Sequence, residues 1–302
     1  MADPNATGRF APSPTGPLHL GNLRTALLAW LFARSAGARF LLRIEDLDPV
    51  ATREEHVTGQ PADLAALGLD WNGPIERQSE HLDRSHAAIA RLEAEGLTYP
   101  CYCTRREIQE AAAAPHGKDP MGAYPGTCRD LTAAERDERA ASGRRPALRL
   151  RAGDVAVAFE DRLRGRVEGR VDDLVLRRTD GIPAYNLAVV VDDAAQGVGE
   201  VVRGDDLLPS TPRQIHLARL LGVEPPTYAH VPLVLGPDGT RLAKRHGAVT
   251  LADRRARGES PSDVLAYLAS TLGLARPDEP VTPTDLIERF DPTEPLVLDP
   301  RD

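Results

Sequence analysis

Three residues near the N-terminus, His19, Gly21 and Asn22, have the types and spacing expected of a phosphate-binding turn. They follow the segment PSPTGP (12–17), whose prolines and glycine stop both strand and helix. From Leu23 onward the apolar residues recur at the spacing of one helix face, and a helix that begins here directs its free N–H groups into the turn. His19 could donate to a phosphate oxygen, Gly21 would let a ligand approach the backbone, and Asn22 could cap the helix. The alternative is an ordinary surface turn before an amphipathic helix.

Charged residues also lie in or directly after predicted strands. Arg9 begins a short strand before the turn, Arg39–Ile44 is a buried-type strand followed by Glu45, and Arg203 ends the predicted strand Val198–Arg203. In doubly wound α/β folds the carboxyl ends of the strands face the ligand crevice. A glutamate there could hold an ammonium group. The alternative for Glu45 is a helix-capping or surface carboxylate.

All three cysteines, Cys101, Cys103 and Cys128, lie in one stretch of the chain. An odd number of cysteines argues against a disulfide framework. A Cys-x-Cys pair with a third cysteine suggests a thiolate-rich zinc site whose fourth ligand comes from elsewhere. Spacing alone favours His116 as that ligand, because imidazole is a common zinc donor. The alternative is three unrelated buried thiols.

Lysine is rare in this chain, since the 37 basic residues include only Lys118 and Lys244. Lysine differs from arginine in carrying a compact, strongly hydrated point charge, so a chain this biased toward arginine keeps a lysine by chance or for a reason. The net charge of −8 argues weakly against a nucleic-acid partner, but clusters such as Arg162/Arg164/Arg166 can still attract phosphate locally. No apolar run approaches the ~20 residues of a membrane span, and no secretion signal is present. We therefore expect a cytoplasmic protein without a membrane partner.

The remaining pattern alternates helices and strands, with one interruption. Thr52 and Glu55 have capping-box spacing and predict a helix start, and Pro61 predicts a break in that helix. Residues 98–171 interrupt the α/β alternation, so we interpret this block as an insertion. Further predictions are helices over 82–95, 132–142, 261–273 and 286–290, a helix over 211–221 capped by Thr211 and Gln214, strands over 147–151, 155–160, 165–171 and 231–235, and a hairpin over 174–191.

Four segments together carry a resemblance to a known family. RFAPSPTGPLHLGNLRTAL (9–27) resembles the opening of glutamyl-type class I aminoacyl-tRNA synthetases, with His19-Leu20-Gly21-Asn22 as the nucleotide-binding motif. YPCYCT (99–104), followed by Tyr124 and Cys128, is similar to a Cys-x-Cys…Tyr-x-x-x-Cys zinc site of this group. Residues 184–193 are similar to its second substrate-binding strand and helix. Residues 240–247 are similar to its ATP loop, usually Lys-Met-Ser-Lys-Ser; this copy has Arg241 and Ala243 at two of the positions and keeps Lys244.

The resemblance implies a fold and a domain layout. It implies an α/β fold with a Rossmann-type, doubly wound parallel sheet, an inserted zinc-bearing α+β subdomain and a short C-terminal helical segment. The expected boundaries are residues 1–97 and 174–247 for the two halves of the catalytic domain, 98–173 for the insertion and 248–302 for the helical segment. In the family the insertion contacts the end of the tRNA. An anticodon-binding domain is not expected.

The reaction implied by the resemblance is activation of glutamate by ATP to glutamyl-adenylate. The protein must then align a carboxylate with the α-phosphorus and stabilise developing charge. The resemblance assigns Arg9, Ser13, Glu45, Tyr185 and Arg203 to glutamate, and His19, Gly21, Asn22 and Lys244 to ATP. His19 would contact the α-phosphate, and Lys244 would hold pyrophosphate with Mg²⁺. One structural Zn²⁺ would be held by Cys101, Cys103, Tyr124 and Cys128, with His116 remaining the alternative to Tyr124.

The short region after the last firm helix resembles a truncated group of paralogs within this family. These paralogs form the same adenylate but transfer glutamate to the queuosine base in the anticodon of tRNA(Asp). The expected partners are therefore ATP, L-glutamate and queuosine-bearing tRNA(Asp), and the expected state is a monomer. Two alternatives stay open. One is a truncated glutamyl-tRNA synthetase that charges a tRNA 3′ end; the other is a non-catalytic glutamate or nucleotide sensor.

Overall fold

Two groups of strands, parallel except at one edge, form the centre of the protein. The structure, a computed structural model, describes residues 6–112, 124–153, 155–233, 249–276 and 278–293. The first sheet consists, in spatial order, of β1 (Gly8–Phe10), β2 (Phe40–Ile44) and β3 (Glu76–Arg77), all parallel. The second consists, in order, of β7 (Gly165–Val171), β6 (Val155–Asp161), β10 (Thr227–Val231) and β9 (Glu200–Gly204). Only β7 is antiparallel to its neighbour in this sheet.

The two sheets meet between β1 and β9. Thr7 forms a parallel bridge with Val198, and the Thr7 carbonyl accepts the backbone N–H groups of Gly199 and Glu200 at 2.9 and 3.2 Å. From this junction the strands run outward as β1-β2-β3 on one side and β9-β10-β6 on the other, so the strand order reverses here. Ligand crevices of open α/β sheets lie at such reversals, at the carboxyl ends of the strands. This arrangement confirms the predicted fold class in its coarser form, a Rossmann-like parallel sheet.

Helix α1 (Leu20–Ser35) connects β1 to β2 and forms the main part of the core. The sequence predicted an amphipathic helix, but α1 is buried around most of its circumference; Leu23, Leu27 and Leu31 are inaccessible to solvent and Trp30 is buried as well. It contacts β1 and β9 as well as two C-terminal helices, α9 (Pro261–Thr271) and α10 (Pro283–Arg289). A helix covered on all sides reads as apolar all round.

Two predictions about helix α2 (Glu54–Ala66) were wrong. Its N-cap is Arg53, which makes no side-chain capping bond, so Thr52 and Glu55 do not form a capping box. Pro61 does not break the helix, which continues through it. Pro61 removes one helical N–H, but Gln60, Pro61 and Leu64 are buried, and tertiary packing of that face outweighs the lost bond.

The predicted hairpin over 174–191 was also wrong in its second half. A short strand, β8 (Val175–Arg177), is followed by an isolated bridge to Pro183 and then by helix α6 (Tyr185–Ala195). The valine run resembles a strand, yet it is the buried face of a helix. The cap predicted at Thr211 is absent too: helix α7 (Thr211–Leu220) has Ser210 as its N-cap, and the Thr211 hydroxyl accepts a bond from Arg203 instead.

The predicted insertion contributes to two sheets. The strands β4 (Thr98–Cys101) and β5 (Ala147–Leu150) form an antiparallel sheet with β8. The β6–β7 hairpin instead extends the β9–β10 sheet, because Asp161 in β6 pairs with Tyr228 in β10. The hairpin therefore places Asp161, the last residue of β6, next to β10. The boundaries 98–173 of the insertion stay a prediction.

Four further helices complete the described part of the fold. They are α3 (Leu82–Ala94), α4 (Arg105–Ala112), α5 (Ala133–Ala141) and α8 (Leu251–Ala256). A capping box formed by Thr132 and Glu135 precedes α5, in agreement with the predicted helix over 132–142. Within the described ranges, none of the helices has both the length and the apolar composition of a membrane span.

Candidate active site

A cavity of about 560 Å³ opens at the junction of β1 and β9. Its lining includes every described residue that the sequence analysis assigned to ATP or glutamate: Arg9, Ser13, His19, Gly21, Asn22, Glu45, Tyr185 and Arg203. These residues come from β1, the following turn, the start of α1, the end of β2, α6 and β9. Lys244, predicted to share the triphosphate with His19, lies outside the described residues.

The His19 side chain has a structural function that the sequence analysis assigned to Asn22. His19 is the N-cap of α1: its Nδ1 accepts the Asn22 backbone N–H at 3.3 Å, and the Asn22 side chain accepts the His19 backbone N–H at 3.2 Å. Because Nδ1 is an acceptor, the neutral imidazole carries its proton on Nε2. The cap therefore makes Nε2 a donor beside the positive end of α1, where an anion is favoured.

Arg9 is fixed by a buried acidic residue that the sequence analysis did not identify. Asp193, in the last turn of α6, accepts from Arg9 Nε at 3.3 Å and lies 2.7 Å from Arg43 Nη2. Burial alone would raise the pKa of Asp193, but the two guanidinium groups outweigh it and hold the pKa below its usual value. The signal in the sequence was a pair of acidic residues directly after an apolar run, because carboxylates that become buried need charged partners.

Glu45 belongs to the same network but is less fully compensated. It lies 3.2 Å from Arg43, and its side chain is nearly buried. Burial raises the pKa of Glu45, and the opposing effects of Arg43 and Arg9 do not offset it. A cation bound beside this carboxylate would lower the pKa again. Glu45 therefore suits the α-ammonium group of an amino acid.

Arg203 is the second buried guanidinium of the cavity. Its Nε donates to His230 Nε2 at 3.1 Å, and its Nη2 donates to Thr211 Oγ1 at 2.8 Å. Its Nη1 nitrogen is buried and has no hydrogen-bond partner among the described residues. Such an unmade bond is costly, and a carboxylate is the usual partner of a guanidinium. Arg203 is thus a donor suited to a bound anion.

The turn between β1 and α1 is held by a residue that sequence reasoning missed. Gln60, in α2, donates from its side-chain amide to the carbonyls of Ser13 and Gly16 at 3.1 and 2.8 Å. Gln60 is buried and also lines the cavity. The helix that continues through Pro61 therefore fixes the turn that precedes the phosphate-binding end of α1. A polar residue beside a helical proline was the only sequence signal for this contact.

The predicted zinc ligands form a second, separate cluster. The Sγ atoms of Cys101, Cys103 and Cys128 all lie within 4.8 Å of one another. The Tyr124 hydroxyl oxygen lies 3.4 Å from Cys101 Sγ and 3.8 Å from Cys103 Sγ, and the sulfurs of Cys103 and Cys128 are 3.5 Å apart. A tetrahedral Zn²⁺, with bonds of about 2.3 Å to sulfur and about 2.0 Å to oxygen, separates its donors by roughly 3.5–3.8 Å. The donor set therefore fits one zinc ion.

The surroundings of this cluster act on the charge of its donors in opposite directions, because a nearby guanidinium and a backbone N–H favour negative charge whereas burial raises the pKa of Cys103 and of Tyr124. Arg149 lies over the Tyr124 ring with its guanidinium carbon 3.7 Å from the ring centroid, and the Cys128 backbone N–H donates to the phenol oxygen at 2.8 Å. Burial raises the pKa of Cys103 to about 12, so this thiol stays protonated until a cation replaces its proton. His116, the alternative fourth ligand, lies outside the described residues.

Comparison with known proteins shows the family to which this chain belongs. The family model described as tRNA synthetases class I (E and Q), catalytic domain, matches residues 6–293, so the chain belongs to this family. Among solved structures, a glutamate tRNA ligase from Elizabethkingia meningosepticum, crystallised in complex with its amino acid, is similar with a TM-score of 0.82 and 27% identity. The match covers 98% of this chain and 67% of that one.

Individual relatives are similar over nearly the whole of this chain. The chain is 63% identical to a glutamyl-Q tRNA(Asp) synthetase of Nocardia farcinica, over 99% of this chain and 96% of that protein. It is 53% identical to a glutamyl-Q tRNA(Asp) synthetase of Symbiobacterium thermophilum, over 96% and 94% of the two chains. A glutamate–tRNA ligase of Alkalilimnicola ehrlichii is 46% identical, and the match covers 94% of this chain but 60% of that protein.

Proposed function

We propose that this protein activates L-glutamate with ATP and transfers the glutamyl group to queuosine in the anticodon of tRNA(Asp). The observation that carries the first step is that one cavity places two buried arginines and a nearly buried glutamate beside the N-terminus of α1. The identity of 63% to a glutamyl-Q tRNA(Asp) synthetase supports the choice of acceptor in the second step.

In the proposed first step, a glutamate carboxylate oxygen attacks the α-phosphorus of ATP and pyrophosphate leaves with Mg²⁺. The enzyme contributes alignment and electrostatic stabilisation rather than a covalent intermediate. His19 donates from Nε2 to the α-phosphate, and the backbone at Gly21 and Asn22 allows the nucleotide to approach. We assign Lys244 to the leaving pyrophosphate, as the family motif suggests.

The amino acid is held by opposite charges in the same cavity. Arg9 and Arg203 each pair with one carboxylate of glutamate, Glu45 takes the α-ammonium group, and Ser13 and Tyr185 donate further hydrogen bonds. Glutamine would leave one buried guanidinium opposite a neutral amide, which explains a preference for glutamate. The Nη1 of Arg203 has no hydrogen-bond partner in the part of the chain that the structure describes, which supports this assignment because a bound carboxylate would satisfy it.

We further propose that Cys101, Cys103, Tyr124 and Cys128 hold one structural zinc ion, which supplies folding free energy to a segment with little core of its own. The spacing of the four donor atoms supports Tyr124 as the fourth ligand. We also propose that the enzyme acts as a monomer. ATP, glutamate and tRNA as partners agree with action in the cytoplasm.

The proposal is tested by incubating the protein with ATP, labelled glutamate and one of three tRNAs. These are tRNA(Asp) with queuosine, tRNA(Asp) without it, and tRNA(Glu). We expect label only on the queuosine-bearing tRNA(Asp), in a linkage that survives removal of the 3′-terminal nucleotide. Label on the 3′ end of tRNA(Glu) would contradict the proposed acceptor while keeping the adenylation step.

Charging of a tRNA 3′ end is the second candidate function. It is favoured by the 46% identity to a glutamate–tRNA ligase and by the matching fold of the Elizabethkingia enzyme. A sensor without catalysis is a third. Glutamate-dependent exchange of pyrophosphate into ATP without tRNA would eliminate the sensor, because exchange requires the adenylate to form and reverse.

A further inference from the structure

His230 lies behind the substrate cavity and contacts Arg203 directly. It belongs to β10, is fully buried, and does not line the cavity. Its Nδ1 lies 2.6 Å from Asp161 Oδ2, and its Nε2 lies 3.1 Å from Arg203 Nε and 3.0 Å from Thr211 Oγ1. A chain of hydrogen bonds therefore runs from Asp161 through the imidazole to the guanidinium that lines the cavity.

The partners on the two sides of the ring determine its protonation. A guanidinium has only donors, so Arg203 Nε–H must donate and His230 Nε2 must accept. Asp161 accepts on the other side, so Nδ1 carries the proton. The ring is thus neutral and holds one tautomer, as a histidine does when one nitrogen is bound to a carboxylate.

We propose that His230 is a positioning residue for glutamate recognition, which holds the Arg203 guanidinium in its substrate-binding orientation through the Nε2 acceptor. The inference rests on the proposed function, because Arg203 is there assigned to a glutamate carboxylate. Arg203 also lies over the Tyr228 ring at 5.2 Å, and Tyr228 stacks on His230. The imidazole contributes something that packing does not supply, an acceptor for one of the guanidinium donors.

The charges that face His230 come from three elements. They are Asp161 at the end of β6, Arg203 in β9, and Asp205 directly after β9; the neighbour on its own strand is the Tyr228 phenol. Burial lowers the pKa of His230, the bond to Asp161 raises it by less, and the charge of Arg203 lowers it further. The neutral ring therefore persists below the usual histidine pKa of about 6.5.

Acid should release Arg203. Protonation places a hydrogen on Nε2, which then faces the Nε–H of Arg203 at a donor–donor distance of 3.1 Å, and two cations become neighbours. The acceptor bond that holds Arg203 in its orientation is then lost. The KM for glutamate is therefore expected to rise as the pH falls below about 6.5 toward the lowered pKa of His230. The KM for ATP, whose proposed contacts are made by α1, is expected to stay constant.

Two variants separate the acceptor from the packing of the ring. In His230→Gln the side-chain oxygen reaches the position of Nε2 and cannot be protonated in this range, whereas His230→Leu fills the space without an acceptor. Asp161 keeps backbone donors in both variants, because the N–H groups of Leu163, Arg164 and residue 230 bond to it at 3.0–3.2 Å. The pair is thus matched except at the atom that faces Arg203.

The assay is glutamate-dependent pyrophosphate exchange by the full chain between about pH 5.5 and pH 8, around the usual histidine pKa. At neutral pH we expect His230→Leu to raise the KM for glutamate about tenfold to hundredfold, as for a lost hydrogen bond to a charged group. We expect His230→Gln to restore most of the affinity and to remove the rise in KM at acid pH.

The outcomes distinguish this inference from the proposed function. No exchange by the wild-type protein at saturating glutamate would overturn the proposed function and, with it, the inference. Exchange by the wild type together with an unchanged glutamate KM in His230→Leu would overturn the inference alone. Should His230→Leu fail to fold, the pH profile of His230→Gln decides: retention of the wild-type acid dependence would show that another group is responsible.

Discussion

Replacing Asp193 with asparagine tests whether the buried charge network stabilises the cavity. Asp193 accepts from Arg9 and Arg43, and Arg43 has no exposed side-chain surface. Wild type places two guanidinium groups against Asp193 and Glu45. The variant leaves both guanidinium groups with one carboxylate, and the pKa of Glu45 is already raised by burial. An uncompensated positive charge therefore remains in the core.

The expected loss of stability follows from this arrangement. Removing one partner of a buried ion pair costs about 3–5 kcal/mol, because the other charge is left without compensation. Asparagine keeps one oxygen that can accept from a guanidinium, so we expect a value near the lower limit, about 3 kcal/mol. The KM for glutamate should rise as well, since Arg9 loses the group that orients it.

The matched control is the same substitution at the neighbouring residue. Asp192 is as buried as Asp193, with side-chain exposures of 4% and 7%, but its partner Arg84 is partly exposed to solvent. Burial raises the pKa of Asp192, and Arg43 and Arg84 do not reverse this, so the folded state tolerates a neutral group there. Urea unfolding at pH 7 should therefore show a large loss for Asp193→Asn and a small change for Asp192→Asn.

The stability that Asp193 contributes should also depend on pH. Because the pKa of Asp193 is lowered in the folded protein, its stabilisation is present above the usual aspartate pKa and is lost as the pH falls through the lowered value. The difference in unfolding free energy between wild type and Asp193→Asn should therefore shrink in acid. Equal unfolding free energies of wild type and Asp193→Asn at neutral pH would refute the network as described.

Three further predictions concern the turn, its support and the cysteine cluster. His19→Ala should lower the free energy of unfolding, measured by denaturation, by about 1 kcal/mol because the cap is lost, whereas His19→Asn should keep the cap. Both variants should lose adenylate formation, measured by pyrophosphate exchange. Gln60→Leu should raise the KM values for ATP and glutamate together, because the carbonyls of Ser13 and Gly16 lose their donor. Cys128→Ser should lower the zinc content, measured by elemental analysis, below one ion per chain, while the glutamate KM of the protein that remains folded is unchanged. A normal zinc content would exclude this residue as a ligand.

The structure also shows where reasoning from local patterns failed. Valines at 189–191 suggested a strand because β-branched residues favour strands, but they belong to α6, whose buried face needs apolar residues whatever their propensity. Pro61 suggested a break, but the packing of α2 carries the helix through it. In both cases tertiary contacts outweighed a preference worth about 1–3 kcal/mol.

The sequence by itself determined the local chemistry: a turn that must end at a helix N-terminus, three cysteines close in the chain, and arginine and glutamate residues at strand ends. Only the tertiary structure decided which of these groups meet and in which protonation state. Asp193, His230 and Gln60 hold Arg9, Arg203 and the turn across chain separations of 184, 27 and 44–47 residues. Such contacts depend on how strands and helices pack, and burial in that packing, rather than residue type, sets the charges of the carboxylates and the imidazole.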